Sequence, residues 1–345
     1  MNIMPANSTI AAIADHHDNR PALRDRFGRD IRYLRISVTD KCDLRCNYCM
    51  PKGFRDFTEP AEWLTYPEIL RLTRVFAALG TRRVRITGGE PLTRKGLPQL
   101  IAGIRDIDGV EDISLSTNGT LLAPVAAELK AAGLHRLNVS LDSLDRACWA
   151  GITGADKLPH VLSGLAAARE AGLGPVKVNM VLLKDVNEHE IPAVVRYCFE
   201  HGYILRLIEE MPMGQTGAAR GMATLETIRQ QLVSEFGLVP VTRELGGGPA
   251  RYWETPDGSN SLGFITPMSQ HFCASCNRVR LASDGRLYLC LGQEHSADLR
   301  APLRDGCSDA ELTAIIRQAI ELKPEKHEFR EQPHQIIRFM SHTGG

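Results

Sequence analysis

The sequence predicts an α/β protein built on a parallel sheet, with a smaller α+β part after it. Short runs rich in Val, Ile and Leu alternate with helical stretches up to about residue 240, helical stretches stop at glycine, and the pattern then changes. Strand candidates fall at 33–38, 82–87, 112–117, 136–141, 176–183 and 204–209. Several alternate apolar and polar residues, as a pleated strand does. Helix candidates lie between and after them at 67–79, 97–106, 123–132, 159–171, 188–201 and 225–236. Pro67 opens the first helix, where a missing N–H costs nothing. Gly80, Gly133, Gly172, Gly202 and Gly237 stand where helices end. Strands joined through helices must run parallel, and ligands then gather at their carboxyl ends. Periodicity alone leaves open whether the sheet stays flat or curls into a partial barrel.

Beyond residue 240, Gly246-Gly247-Gly248-Pro249 marks a loop, and 251–254 and 262–266 read as short strands. The runs 278–283 and 286–289 flank Asp284-Gly285, a hairpin signal. Helical stretches follow at 309–322 and, more weakly, after Pro324. This reads as a second layer packed on the first.

Composition limits the function. The 345 residues are 43% hydrophobic and 24% charged, enough apolar material for a core. Lys and Arg number 41 and Asp and Glu 41, so net charge draws the chain to neither polymeric nucleic acid nor a membrane. No apolar run approaches the ~18 residues that span a bilayer. The apolar stretch at 10–14 is too short for a signal peptide and has no basic residue before it, so a cytoplasmic location is expected.

The nine cysteines are an odd number, which argues against a disulfide framework. Cys148, Cys198 and Cys307 are isolated and read as structural. Cys42-x3-Cys46-x2-Cys49 follows the first strand, and Cys273-x2-Cys276-x13-Cys290 brackets the hairpin. Either triplet can hold one metal centre. Zinc wants a fourth ligand, which His271 or His295 offers only to the second. A 4Fe-4S cluster on three thiolates keeps one iron open for a ligand.

The first triplet, with Tyr48 before its last cysteine, resembles the signature of the radical S-adenosylmethionine (SAM) superfamily, and Thr87-Gly88-Gly89-Glu90-Pro91 resembles that superfamily's glycine-rich motif. With the second triplet, the whole is similar to the GTP 3′,8-cyclase family. Arg85-Ile86-Thr87, Ser116-Thr117-Asn118-Gly119, Asn138-Val139-Ser140-Leu141-Asp142, Lys177-Val178-Asn179 and a terminal Gly344-Gly345 agree with it. The similarity runs from about residue 32 to 345.

The resemblance implies an incomplete (β/α)6 TIM-like barrel over 26–241, a C-terminal iron–sulfur and substrate-binding part over 242–345, and a flexible extension over 1–25. It implies a lyase with two 4Fe-4S clusters, on Cys42, Cys46 and Cys49 and on Cys273, Cys276 and Cys290. The first cleaves SAM to a radical that takes the ribose 3′ hydrogen of GTP; the second binds guanine. The product is (8S)-3′,8-cyclo-7,8-dihydroguanosine 5′-triphosphate, at the first step of molybdenum cofactor biosynthesis. Carried over by position, SAM contacts involve Tyr48, Gly89, Ser140 and Met211. GTP contacts involve Arg35, Arg85, Ser116, Lys177, Arg278, Val279 and Arg280, and the Gly344-Gly345 tail lies near the site. Arg83 replaces a lysine frequent in the family and stays off this set. Implied partners are a reductant protein and the downstream cyclic pyranopterin monophosphate synthase, with a monomer or homodimer as assembly. Competing readings are a radical SAM peptide modifier with an auxiliary cluster and a metal-binding scaffold without catalysis.

Overall fold

A computed structural model describes residues 22–213, 225–242, 246–331 and 336–344. The first part runs β1 (Tyr33–Ser37), α1 (Tyr66–Ala78), β2 (Arg83–Thr87), α2 (Leu97–Arg105), β3 (Asp112–Thr117), α3 (Ala126–Ala131), β4 (Arg136–Ser140), α4 (Arg146–Thr153), α5 (Leu158–Glu170), β5 (Val176–Leu182), α6 (Ile191–Glu200), β6 (Ile204–Glu209) and α7 (Leu225–Phe236). Then follow β7 (Val239–Val241), β8 (Arg251–Glu254), β9 (Ser261–Ile265), β10 (Arg278–Leu281), β11 (Arg286–Tyr288), β12 (Ser296–Asp298), α8 (Arg300–Arg304), α9 (Asp309–Glu321) and α10 (Met340–Thr343). Local chemistry sets several ends. Thr65 and Glu68 close a capping box at the start of α1, and Ser308 with Glu311 does the same for α9.

The six expected strands pair in parallel in chain order, β1 to β6. The sheet is not closed: it ends at β12 on one side and β7 on the other. This is the expected incomplete barrel. The C-terminal part joins it differently from the expected packed layer. β10 pairs parallel with β1, and β9 pairs parallel with β6, so late strands extend both edges of the same sheet. Open edges of a parallel sheet are unpaired donors and acceptors, and these additions satisfy them.

Other differences are local. Leu23 is buried and its N–H donates to Leu79 O, so packed chain begins before residue 26, while residues 1–21 lie outside the described part. The weak helix after Pro324 is absent among the described residues, and the short α10 stands near the end instead. No helix among the described residues is long and apolar enough to cross a membrane.

Alternation decides what each sheet face does. Leu34, Ile36, Val84, Ile86, Ile113, Leu115, Leu137, Val139, Val178, Leu205 and Leu207 are buried in one continuous core that includes helix residues such as Leu72, Phe76, Ile104 and Val194. Fully burying each such side chain contributes about 1.5–3 kcal/mol. The residues between them are polar: Arg35, Ser37, Arg85, Thr87, Ser114, Asn138, Lys177 and Arg206. One face therefore holds the helices, and the other carries polar chemistry.

Candidate active site

The loop after β1 carries the first cysteine triplet, and the strap after β2 pins it. Val38 N–H donates to Thr87 O (2.9 Å), Gly89 N–H to Thr39 O (2.7 Å) and Glu90 N–H to Lys41 O (2.8 Å). A Cβ on Gly88 would meet Thr39 O at 2.5 Å, and one on Gly89 would meet Asp40 O at 2.6 Å. Gly88 and Gly89 thus make room for the cysteine loop.

Glu90 is fully buried and accepts from Leu92 N (3.0 Å), Thr117 Oγ1 (2.8 Å) and Asn118 N (2.6 Å). Burial pushes its carboxyl up to about 7 despite these donors. Asn118 Nδ2 reaches Asp43 Oδ1 (2.8 Å) and Cys42 Sγ (3.8 Å). Lys157 and Thr120 also bind Asp43. One polar chain thus links the strap, the end of β3 and the first cysteine.

Tyr48 OH donates to Asp142 Oδ2 (2.8 Å), and Val181 N–H donates to Asp142 Oδ1 (2.9 Å). Burial lifts Asp142 to about 6. Burial likewise pushes the Cys42 and Cys49 thiols up to about 12 and Cys46 well above the ordinary range. The three thiols also raise one another, so they share one neighbourhood. Such thiols are poor nucleophiles; a metal centre is what would favour their thiolates.

The C-terminus closes over this site. Ser341 N–H donates to the Cys49 sulfur, Thr343 is buried, and Gly344 packs on Thr87. Gly345 lies outside the described residues.

Cys273 and Cys276 sit on one tight turn, closed by Cys276 N–H to Cys273 O (3.0 Å). The hairpin of β10 and β11 returns Cys290, and all three line one cavity. Burial raises Cys273 as it does the first triplet, but at Cys276 the electrostatics reverse. Burial would raise Cys276, but Lys323 and Arg278 pull it down to about 7. Among the described residues, no group of three or more His, Cys, Asp or Glu closes on a single metal ion. A cubane asks for a looser set, because each thiolate takes a different iron. His295 pairs instead with Gln293 (2.9 Å), and His271 stacks edge-on to His327. Both triplets fit the group that the sequence implies for them.

The same cavity is lined by Tyr33, Arg35, Arg85, Asn179, Arg206, Met211, Arg278 and Arg280. Register explains the gathering: Arg280 stands opposite Arg35, Arg35 opposite Arg85, and Arg85 opposite Ser114. Like charges on neighbouring strands are unfavourable. Two unit charges ~5 Å apart repel by roughly 3 kcal/mol at an effective dielectric of about 20. Burial, then Arg280 and Arg85, hold Arg35 well below its usual range. Nε of Arg35, Arg278 and Arg280 are buried without a hydrogen-bond partner. Unsatisfied donors among unbalanced cations fit an anion.

Arg35, Arg85 and Arg280 therefore stand at mid-strand on the sheet's polar face, and Arg278 opens β10. Lys177 is buried beside them, paired in register with Asn138. Ser140 is half-buried at the end of β4, and Met211 packs toward Met213 and Met268. Ser116 also faces Asn138 in register, but Ser114 is the hydroxyl that Arg85 reaches (3.3 Å). Val279 turns its side chain into the apolar core, so only its backbone remains for a ligand. Arg206 was not anticipated. It bonds Asn138 and Asn179 from β6, and an arginine at an inward position of an apolar strand was its signal.

Residues 36–198 match the Radical SAM superfamily model, and 203–329 match Molybdenum Cofactor Synthesis C. The chain is 45% identical to GTP 3′,8-cyclase of Paracoccus denitrificans over 99% of this chain and 100% of that one. It is 46% identical to GTP 3′,8-cyclase 2 of Pseudomonas aeruginosa over 94% and 98%. Among solved structures, Streptococcus suis SuiB bound to S-adenosylmethionine is similar, with TM-score 0.57 and 15% identity over 82% of this chain and 68% of that one. That likeness concerns the fold alone.

Proposed function

The chain belongs to the GTP 3′,8-cyclase family of the radical SAM superfamily, and on that premise we propose how its residues divide the work. It is a lyase that converts GTP to (8S)-3′,8-cyclo-7,8-dihydroguanosine 5′-triphosphate with SAM and two 4Fe-4S clusters, the first step of molybdenum cofactor biosynthesis. When bound, the clusters and SAM supply the electron and the radical that abstracts hydrogen from the nucleotide.

In our reading Cys42, Cys46 and Cys49 hold the SAM-cleaving cluster, and Cys273, Cys276 and Cys290 hold the one facing guanine. Tyr48, Gly89, Ser140 and Met211 frame SAM. Tyr48 acts through a ring held by Asp142, and Gly89 through backbone held by the cysteine loop. Arg35, Arg85, Lys177, Arg278 and Arg280 neutralise the triphosphate, with Arg206 added, Ser116 beside them and Val279 contributing backbone. The tail at Gly344 shields the first centre from water.

The observation that supports this best is the row of mutually repelling arginines, Arg35 and Arg280 buried and Arg85 half-buried, in the same cavity as the second triplet. A triphosphate supplies the missing negative charge. The cavity holds about 140 Å³ of free space. That is below the roughly 300–1,000 Å³ of ordinary ligand sites, so side chains at its mouth rotate aside on binding.

We place the reaction core in residues 26–241 and the guanine-side cluster in 242–345, in a cytoplasmic monomer or homodimer. A reductant protein supplies electrons, and cyclic pyranopterin monophosphate synthase takes the product. The test is anaerobic incubation of iron-loaded protein with SAM, dithionite and GTP. 5′-Deoxyadenosine formed together with GTP loss is expected. Full iron content with SAM cleavage but no GTP loss would require another substrate.

A further inference from the structure

We infer that Lys323 sets the second cluster's reduction potential above the first's and, with Arg29 and Arg338, clamps its three cysteine ligands. This rests on the reading of Cys273, Cys276 and Cys290 as cluster ligands.

Each of those cysteines has its own buried cation, and none of the cations comes from the cysteine motif. Arg29 Nη1 donates to Cys273 O (2.8 Å) and Glu325 O (2.7 Å), and Nη2 to Pro324 O (2.6 Å). Arg338 Nη2 donates to Cys290 O (3.1 Å) and Leu291 O, and Nη1 to Gln293 O (2.8 Å). Lys323 is 1% exposed; its Nζ donates to Leu289 O (2.5 Å) and Arg278 O (3.1 Å) and reaches Cys276 Sγ (3.6 Å). Segments far apart in sequence thus fix the backbone at Cys273 and Cys290 and the sulfur of Cys276.

Their charges do not count equally. Arg29 is paired with Asp25 (2.6 Å) and Arg338 with Glu294 (2.7 Å), so each adds geometry with little net charge. Among the described residues, the hydrogen bonds of Lys323 go to two carbonyls and a sulfur, none to a carboxylate. Reduction of a cluster adds one negative charge. A buried ammonium touching a ligand sulfur stabilises that state and raises the potential. The first triplet has acidic neighbours, Asp43, Glu90 and Asp142, with Asp43 paired to Lys157 (2.9 Å) and Arg45 Nη1 on Cys42 O (2.6 Å), but no cation is hydrogen-bonded to its sulfurs among the described residues. The two centres are therefore poised apart, with the guanine-side cluster the easier to reduce.

The test is a potentiometric titration of the reconstituted full chain, followed by electron paramagnetic resonance. It uses wild type, Lys323→Met, Lys323→Arg and Arg29→Gln. The second midpoint in wild type should lie above the first. Lys323→Met should lower the second midpoint by at least the equivalent of a tenfold change in reduced fraction, 59 mV for one electron. The first midpoint and uncoupled SAM cleavage should stay unchanged. Lys323→Arg should keep the wild-type second midpoint. Arg29→Gln should lose iron from the second site while the remainder titrates as wild type. A loaded Lys323→Met chain with an unmoved midpoint would overturn the inference. If Lys323→Met loads no second cluster, a loaded Lys323→Arg chain supports the charge, and an unloaded one reduces Lys323 to packing and overturns it. Zinc in place of iron at these cysteines in wild type would instead overturn the cluster reading itself, and the inference with it.

Discussion

Gly344 presses against Thr87: a Cβ on Gly344 would fall inside the van der Waals envelope of the threonine's Cγ2 and Oγ1. Thr87 ends β2 and leads into the strap that pins the cysteine loop. The last helical turn, Met340–Thr343, is thus seated beside the first cysteine triplet, with φ of +73° at Gly344 completing the turn. Only glycine meets both demands without strain.

Deleting Gly344 and Gly345 should therefore lower GTP-dependent turnover sharply while leaving iron content near wild type and uncoupled SAM cleavage at or above it. Gly344→Ala should fall between the two, through clash and positive φ. Assay of 5′-deoxyadenosine with and without GTP separates the outcomes. A truncated chain that cyclises GTP at the full rate would make the seating ornamental.

The cysteine triplets should separate two activities. Cys42→Ala, Cys46→Ala or Cys49→Ala should each abolish SAM cleavage, since each removes one of the three thiols of that centre. Cys273→Ala, Cys276→Ala or Cys290→Ala should lose cyclisation yet keep some SAM cleavage. Iron content and product analysis of the six variants check this. Unchanged cyclisation in the second set would make that site structural.

Most of this architecture was legible because parallel strands and their helices announce themselves locally. The six barrel strands and both triplets are written in short windows of sequence. What was missed depends on long-range pairing. Nothing in 278–281 says that it will lie against β1, 245 residues upstream, nor in 261–265 that it will lie against β6. α4 had local signals that went unread, Asp145 as its N-cap and Gly154 in the left-handed conformation at its end. Arg206 needed the facing of β6 to be known before its inward direction had meaning. Val279 shows the converse: in a run of Arg-Val-Arg, alternation sends the middle residue to the opposite face.

Arg206 now makes a prediction of its own. It is buried in the cation cavity and held by Asn138 and Asn179, so it is oriented before ligand arrives. Hydrogen bonds to charged groups contribute about 1.5–3 kcal/mol each. Arg206→Met should weaken GTP binding by roughly 10- to 100-fold by that figure, raising KM for GTP with uncoupled SAM cleavage retained. Wild-type KM would remove Arg206 from the nucleotide site.

Lys177 links binding to protons. Burial first, then Arg206, Arg136 and Arg85, depress its ammonium to about 6, against an ordinary value of 10.5. In the free protein it is therefore mostly neutral at pH 8, whereas in the unfolded chain it is charged. Between those two values the unfolded state binds more protons, so this residue makes stability rise with pH across that window and fall as pH drops toward 6. A triphosphate reverses the balance by placing negative charge beside the amine. GTP binding at pH 8 should then take up close to one proton at this site. Calorimetry in buffers of different ionisation enthalpy reads that number directly. Lys177→Met should abolish the uptake and weaken binding, while flattening the pH dependence of thermal stability between about 6 and 10. Equal heats in all buffers for wild type, at the same affinity, would mean that Lys177 keeps its protonation state on binding and does not meet the triphosphate.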